Sequence, residues 1–273
     1  MQNFRYQGTA SDAAALEGIV SAMTRHQSNA HIQECLCKLL SKIAENDEQS
    51  RLWATQAGAI QAVFKVIDTH ANSTFSVFRA YWALDSIMQN FRYQGTASDA
   101  AALEGIVSAM TRHQSNAHIQ ECLCKLLSKI AENDEQSRLW ATQAGAIQAV
   151  FKVIDTHANS TFSVFRAYWA LDSIMQNFRY QGTASDAAAL EGIVSAMTRH
   201  QSNAHIQECL CKLLSKIAEN DEQSRLWATQ AGAIQAVEAK LREMREEEID
   251  DLGWAGTRYA RLRRAYSSSV LPV

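Results

Sequence analysis

The sequence predicts an all-α fold, a solenoid of short stacked helices, and three observations carry that prediction. The run MQNFRYQGTASDAAALEGIVSAM opens at Met1, again at Met88 and again at Met175, a period of 87 residues. Self-similarity at a fixed period marks architectures in which each unit buries its apolar face on the next. Proline is absent from the repeating text, the only one in the chain being Pro272. Apolar residues recur at spacings of three and four, with no sustained alternation of the kind that marks strands.

Residues 1–87 and 88–174 are identical, and the third copy matches from Met175 to Val237 before the text changes. Natural repeats drift, so identity at every position points to a recent duplication or to deliberate multiplication of one cassette, and the second is the favoured reading. The expected organisation is a solenoid over residues 1–237, in cassettes 1–87, 88–174 and a partial 175–237, followed by a charged helical tail over 238–273.

Within the first cassette, Gly18, Ile19, Ala22 and Met23 recur at helical spacing, and so do Ile32, Leu36, Leu39, Leu40 and Ile43 in the next segment. Asn29 is placed to cap the start of that second helix. A shorter helix is expected from about Glu48 to Gln56. It ends at Ala57 and Gly58, where glycine lets the backbone turn sharply. Helices resume over Ile60 to Ile67 and Phe75 to Ile87, and MQNFRY is expected to continue the last of these in the inner copies. None of these helices can stand alone. Ordering a residue costs about 1–2 kcal/mol of backbone entropy, while burying a leucine-sized side chain returns about 1.5–3 kcal/mol, so the apolar faces must stack on neighbouring repeats.

The stretch NDEQSRLWATQAGAIQAVFKVIDTHANSTFSVFRAYWALDSI, Asn46 to Ile87, resembles an armadillo repeat: a short first helix, an Ala-Gly turn, then two longer helices, the last carrying WAL. The segment LEGIVSAMTRHQSNAHIQECLCKLLSKIAEN, Leu16 to Asn46, resembles the second and third helices of another. One cassette then holds two repeats, and 47 residues separate Gly58 from Gly105 while 40 separate Gly105 from Gly145. The resemblance covers residues 8 to about 237 and implies an armadillo-like α-solenoid, a right-handed superhelix of three-helix repeats. It also implies a concave groove, lined by the third helices, that binds extended peptides.

In the nuclear import receptors of that family, a tryptophan and an asparagine one turn later line the groove. Here the tryptophan stands at Trp82 and Trp169, but the asparagine's place falls on Ser86 and Ser173. In the alternate repeats the two places fall on Lys38 and Lys42, Lys125 and Lys129, and Lys212 and Lys216. Clamping of a basic peptide is therefore not expected, since paired lysines repel such a ligand. A row of positive charge suggests an acidic extended peptide instead. The structural alternative pairs these lysines with Glu34 and Glu45 on their own helix, and Trp82 and Trp169 divide evenly between groove and core.

His31 and Cys35 sit four apart and share a helix face, but Cys37 is rotated by about 200° from Cys35, so no tetrahedral metal site is expected. The six cysteines, one CLC triplet per copy, read as free thiols packed in the third helices. There is no phosphate-cradling glycine loop, no HExxH and no GxSxG, and three identical active sites along a rod would be unusual. No catalytic residue and no cofactor is expected. The chain is 47% apolar and 20% charged with a net charge of −3, which gives no reason to expect nucleic acid as a partner. No apolar run of about 18 residues offers a membrane span and no secretory signal is legible, so the expected compartment is the cytoplasm.

The expected function is thus a non-enzymatic scaffold that presents a groove for protein or peptide binding. The alternative is a purely structural spacer or self-assembling array without a ligand. At the N-terminus, Met1, Phe4 and Tyr6 form only a stub where inner copies have a preceding third helix, the one carrying Phe165, Tyr168, Trp169 and Leu171. An apolar face left uncovered there predicts a homodimer. At the other end AIQAVFKVIDTH becomes AIQAVEAKLREMREEEIDD, which keeps an apolar stripe at Val237, Leu241, Met244 and Leu252. Gly253 then precedes a basic segment with Tyr259, Leu262 and Tyr266 on one side. The tail reads as a C-terminal cap, with a separate recognition segment as the alternative.

Overall fold

The computed structural model describes residues 10–89, 97–176, 183–220 and 222–236, which fall in two compact units, Met1–Ala144 and Gly145–Val273. Among the described residues there are thirteen helices and no strand. The tail 238–273 and the stub carrying Met1, Phe4 and Tyr6 lie outside the described residues.

The first unit holds α1 (Ala10–Arg25), α2 (Ala30–Ala44), α3 (Glu48–Gln56), α4 (Ala59–Thr69), α5 (Thr74–Ile87), α6 (Ala97–Arg112), α7 (Ala117–Asn133) and α8 (Glu135–Gln143). The second holds α9 (Ala146–Thr156), α10 (Thr161–Ile174), α11 (Ala184–Arg199), α12 (Ala204–Asn220) and α13 (Glu222–Gln230). The boundaries follow from local chemistry. Asn29 sits in an extended conformation before α2 and its side-chain oxygen accepts from the Ile32 N–H at 3.1 Å; Asp47 does the same for Ser50 at 2.7 Å and Ser73 for Ser76 at 3.2 Å. Between α3 and α4 the chain turns through Gly58 at φ 80°, a left-handed conformation that side chains disfavour. Thr183 and Asp186 form a reciprocal capping box at the start of α11, each side chain accepting from the other's backbone at 3.1 Å.

One boundary differs from expectation. MQNFRY does not prolong α5 or α10: those helices end at Ile87 and Ile174, with Met88 and Met175 as buried C-caps. The Met88 N–H reaches Leu84 O at 2.8 Å, and the Gln89 N–H then bonds Ser86 O at 3.4 Å, the shorter i to i−3 step that closes a helix end.

In the first unit α4 packs on α1 and α6, and α5 packs on α2 and α7. Ile60, Val63, Ile67, Leu84, Leu103, Ile106, Leu123 and Leu127 are all buried in this core. One contact is unusually close. The ring of Phe64 lies so near α6 that a Cβ on Gly105 would stand 2.7 Å from its Cε2, and Phe151 against Gly192 repeats this in the second unit at 2.6 Å. Glycine at that position is what lets the second helices of successive repeats approach.

Candidate functional site

The third helices of the first unit are α2, α5 and α7. On α5, Val77, Ala80, Tyr81 and Leu84 face the core, which turns Phe75, Phe78 and Trp82 outward at i, i+3 and i+7. Their relative exposures are 53%, 40% and 41%, and α10 repeats the stripe with Phe162, Phe165 and Trp169 at 53%, 40% and 45%. Trp82 and Trp169 therefore belong to the open surface, not the core. The Phe78 and Trp82 rings meet edge to face with centroids 5.8 Å apart, and the Arg79 guanidinium stands 4.8 Å over the Phe75 ring. Exposed aromatics at helical spacing are costly to leave in water, which is why such stripes mark contact surfaces. Phe75 and Phe78 were not among the residues expected here; their i, i+3, i+7 relation to Trp82 is the signal that would have found them. The helix carrying Phe165 and Trp169 does pack on the third helix of the following cassette, α10 on α12, with those two rings on its outward side.

Ser86 lies at the floor of this face. It is buried, and its hydroxyl donates to Trp82 O at 2.9 Å and to Glu45 Oε1 at 3.4 Å. Ser173 is likewise buried and bonded to Trp169 O at 2.9 Å. Each serine is bonded to its own helix, and Ser86 also to Glu45 at the end of α2.

The six lysines differ among themselves. Lys38 and Lys42 are exposed on α2, and among the described residues neither meets an acid. Lys125 is half-buried, its ammonium 5.1 Å over the Tyr81 ring, and Lys129 lies 2.5 Å from Asp85 Oδ1, to which Tyr81 also donates at 3.3 Å. In the second unit Lys212 pairs with Glu208 at 2.5 Å and Lys216 pairs with Asp172. Among the described residues, the same-helix pairing with glutamate expected for these lysines is realised at Lys212. Elsewhere the glutamates bridge helices, Glu34 accepting from Ser76 Oγ at 2.7 Å and Glu45 from Ser86 Oγ. Asp85 and Asp172, which the sequence reading did not single out, supply the countercharge for Lys129 and Lys216. A compensated surface pair presents little field beyond a Debye length of about 8–10 Å, so the row of positive charge is reduced where those aspartates stand.

All six cysteines are free, but they do not share one environment. Cys37, Cys124, Cys209 and Cys211 are buried, Cys122 is half-buried and Cys35 is exposed, which corrects the expectation of packed thiols at Cys35. The equivalents of Cys35 lie on α7 and α12, against which α5 and α10 of the preceding repeats pack, and among the described residues no helix of a preceding repeat packs on α2. Burial and the nearby Glu34 push the Cys37 thiol up to about 12; burial pushes Cys209 up to about 11, with Lys212 acting against and Glu208 with it. His31 Nε2 lies 4.0 Å from Cys35 Sγ while Cys37 is buried in the core, so Cys37 diverges from that pair. Among the described residues no group of three His, Cys, Asp or Glu side chains converges as a metal site would require, and no helix is long and apolar enough to cross a membrane.

No protein-family model matches the chain, and no curated protein matches it in sequence. Solved structures do match. A designed armadillo repeat protein in complex with the peptide (KR)4 superposes with a TM-score of 0.59 at 18% identity, covering 92% of this chain and 99% of that one. Computationally designed armadillo repeat proteins for modular peptide recognition give 0.57 at 17% identity, covering 94% of this chain and 100% of theirs. A further engineered protein gives 0.56 at 16% identity, covering 93% of this chain and 97% of that one. The fold is that of an armadillo-like α-solenoid.

Proposed function

We propose that this chain of armadillo-like fold is a non-enzymatic repeat scaffold, assembled by multiplication of one cassette, that binds an extended peptide along the open faces of its third helices. The observation that carries this reading is the exposed aromatic stripe, Phe75, Phe78 and Trp82, which recurs at Phe162, Phe165 and Trp169. Covering a half-exposed tryptophan and two phenylalanines returns about 25 cal/mol per Å² of apolar area, and tryptophan is a frequent anchor of such contacts. Lys38 and Lys42, which meet no acid among the described residues, with Lys125 and Lys129 beside the stripe, favour acidic side chains on the ligand. That preference is opposite to the (KR)4 ligand of the designed neighbour. The free thiols support a reducing compartment, and the cytoplasm is the proposed location.

Titration with extended peptides of acidic, basic and neutral aromatic sequence, read by intrinsic tryptophan fluorescence, tests the groove. Acidic peptides carrying an aromatic residue should bind most tightly, and Trp82→Ala with Trp169→Ala should weaken them about tenfold or more. Lys125→Ala with Lys129→Ala should weaken acidic peptides and leave basic ones unaffected. Binding that ignores the loss of both tryptophans removes the groove reading, and no binding of any peptide favours the structural spacer.

A further inference from the structure

The first unit shows one stretch of sequence in two surroundings. On α6 and α7, Ile106, Ala109, Ile119 and Leu123 are buried beneath α4 and α5, and Leu126 is 1% exposed. Their equivalents on α1 and α2, Ile19, Ala22, Ile32 and Leu36, are only half-buried, and Leu39 is 44% exposed. Gly105 lies under the Phe64 ring, whereas a Cβ on Gly18 would meet nothing within 4 Å.

The polar rim repeats the contrast. Asp68 of α4 accepts from Arg112 at 3.0 Å and stands 2.9 Å from His113 Nε2, and the carbonyl of Ala71 accepts from Asn116 Nδ2 at 2.9 Å. Asp85 of α5 takes Lys129. The equivalents of those donors are Arg25, His26, Asn29 and Lys42, and among the described residues the side chains of Arg25, His26 and Lys42 meet no acid. A notch above Gly18, an apolar floor and a basic rim thus stand together, complementary to the helical pair that covers the identical surface one cassette later.

We propose that the face of α1 and α2 is a docking surface for a helical pair of the α4–α5 kind, the sequence Ala59–Gln89, offered by another polypeptide. Such a pair would set the ring of its Phe64 into the notch at Gly18. Its Asp68 would reach Arg25 and His26, and its Asp85 would reach Lys42. A second copy of the chain meeting this face in a closed dimer is the rival occupant. It would bring together two copies of a rim carrying Arg25, His26 and Lys42, whereas the helical pair brings Asp68 and Asp85 to those residues, so charge complementarity favours the helical pair. This reading rests on the packing of the repeats and not on the groove.

The test uses the full chain and a fluorescein-labelled peptide of sequence Ala59–Gln89, followed by anisotropy and circular dichroism. Saturable one-to-one binding in the micromolar range, about 1–10 μM, with a gain of helix is expected. Gly18→Ala should weaken it about tenfold or more while leaving the free chain folded, because the added methyl has open space there and would lie under the Phe64 ring in the complex. A peptide carrying Phe64→Ala should no longer distinguish Gly18→Ala from the wild type. Leu52→Ser, an exposed position on α3, should change nothing. The proposal is overturned by no saturable binding up to about 100 μM, by binding indifferent to Gly18→Ala, or by light scattering that shows the chain alone as a dimer dissociated by Gly18→Trp. It is independent of the groove: Trp82→Ala and Trp169→Ala in the chain should leave this binding intact.

Discussion

Gly18, Gly105 and Gly192 occupy the same position in identical sequence, yet one substitution should stabilise at the first and destabilise at the other two. In a helix interior, glycine to alanine removes backbone entropy from the unfolded chain and stabilises by about 1 kcal/mol. At Gly18 nothing stands within 4 Å of the new methyl, so this gain should survive almost whole. At Gly105 the methyl would lie 2.7 Å from Phe64 Cε2 and 2.9 Å from Cδ2, well inside van der Waals contact. Phe64 is 6% exposed and its ring cannot swing into solvent. Forcing a methyl into a packed core costs about 1–3 kcal/mol, which outweighs the helix gain and leaves Gly105→Ala destabilising by up to about 2 kcal/mol. Gly192→Ala, at 2.6 Å from Phe151, should behave likewise. Because repeats open in parts, native-state hydrogen exchange on α1, α6 and α11 is the suitable assay, supported by urea unfolding. Phe64→Leu should return part of the stability lost in Gly105→Ala. Equal effects at Gly18 and Gly105 would refute the reasoning, since they would mean that α4 does not press on α6.

Alkaline pH should loosen the fold through its buried thiols. Cys37 and Cys209 are raised in the folded chain to about 12 and about 11 from an ordinary value near 9, so the folded state keeps its protons longer than the unfolded one. Their contribution is complete below pH 9 and is lost as pH climbs towards the folded values, so the urea midpoint should fall across that window and Cys37→Ala should flatten the fall. Asp68→Ala removes the acceptor of Arg112 and His113. It should cost about 1–2 kcal/mol, seen as faster exchange at the C-terminal end of α6, and Asp155→Ala should do the same for α11; unchanged exchange in both would show that these rim contacts carry no stability.

Much of the helical pattern was legible because its determinants act over three or four residues. Asn29 caps Ile32, Asp47 caps Ser50, and Gly58 takes the left-handed turn wherever the cassette occurs. The outward stripe of α5 was half legible: Trp82 stood out by resemblance, while Phe75 and Phe78 needed the burial of Tyr81 and Leu84 to fix which side of the helix faces out. The charge of the lysine row was not legible, since Lys129 finds Asp85 from 44 residues away and Lys216 finds Asp172 at the same separation. The end of α5 was misjudged for the opposite reason. MQNFRY carries no helix breaker, and Met88 becomes a cap because its side chain is drawn into the core.

The repeated sequence separates these two kinds of cause. By itself it determined the period, the short helices, their caps and turns, and the need to stack, because each of these depends on residues within one or two turns of one another. Only the tertiary structure decided that Leu39 is exposed while Leu126 is buried, that Cys35 is open while Cys209 is not, and that Gly18 has room where Gly105 has a phenyl ring. Identical residues can differ in this way because burial and close contact are properties of what another helix brings to them, and in this chain that helix comes from the preceding repeat.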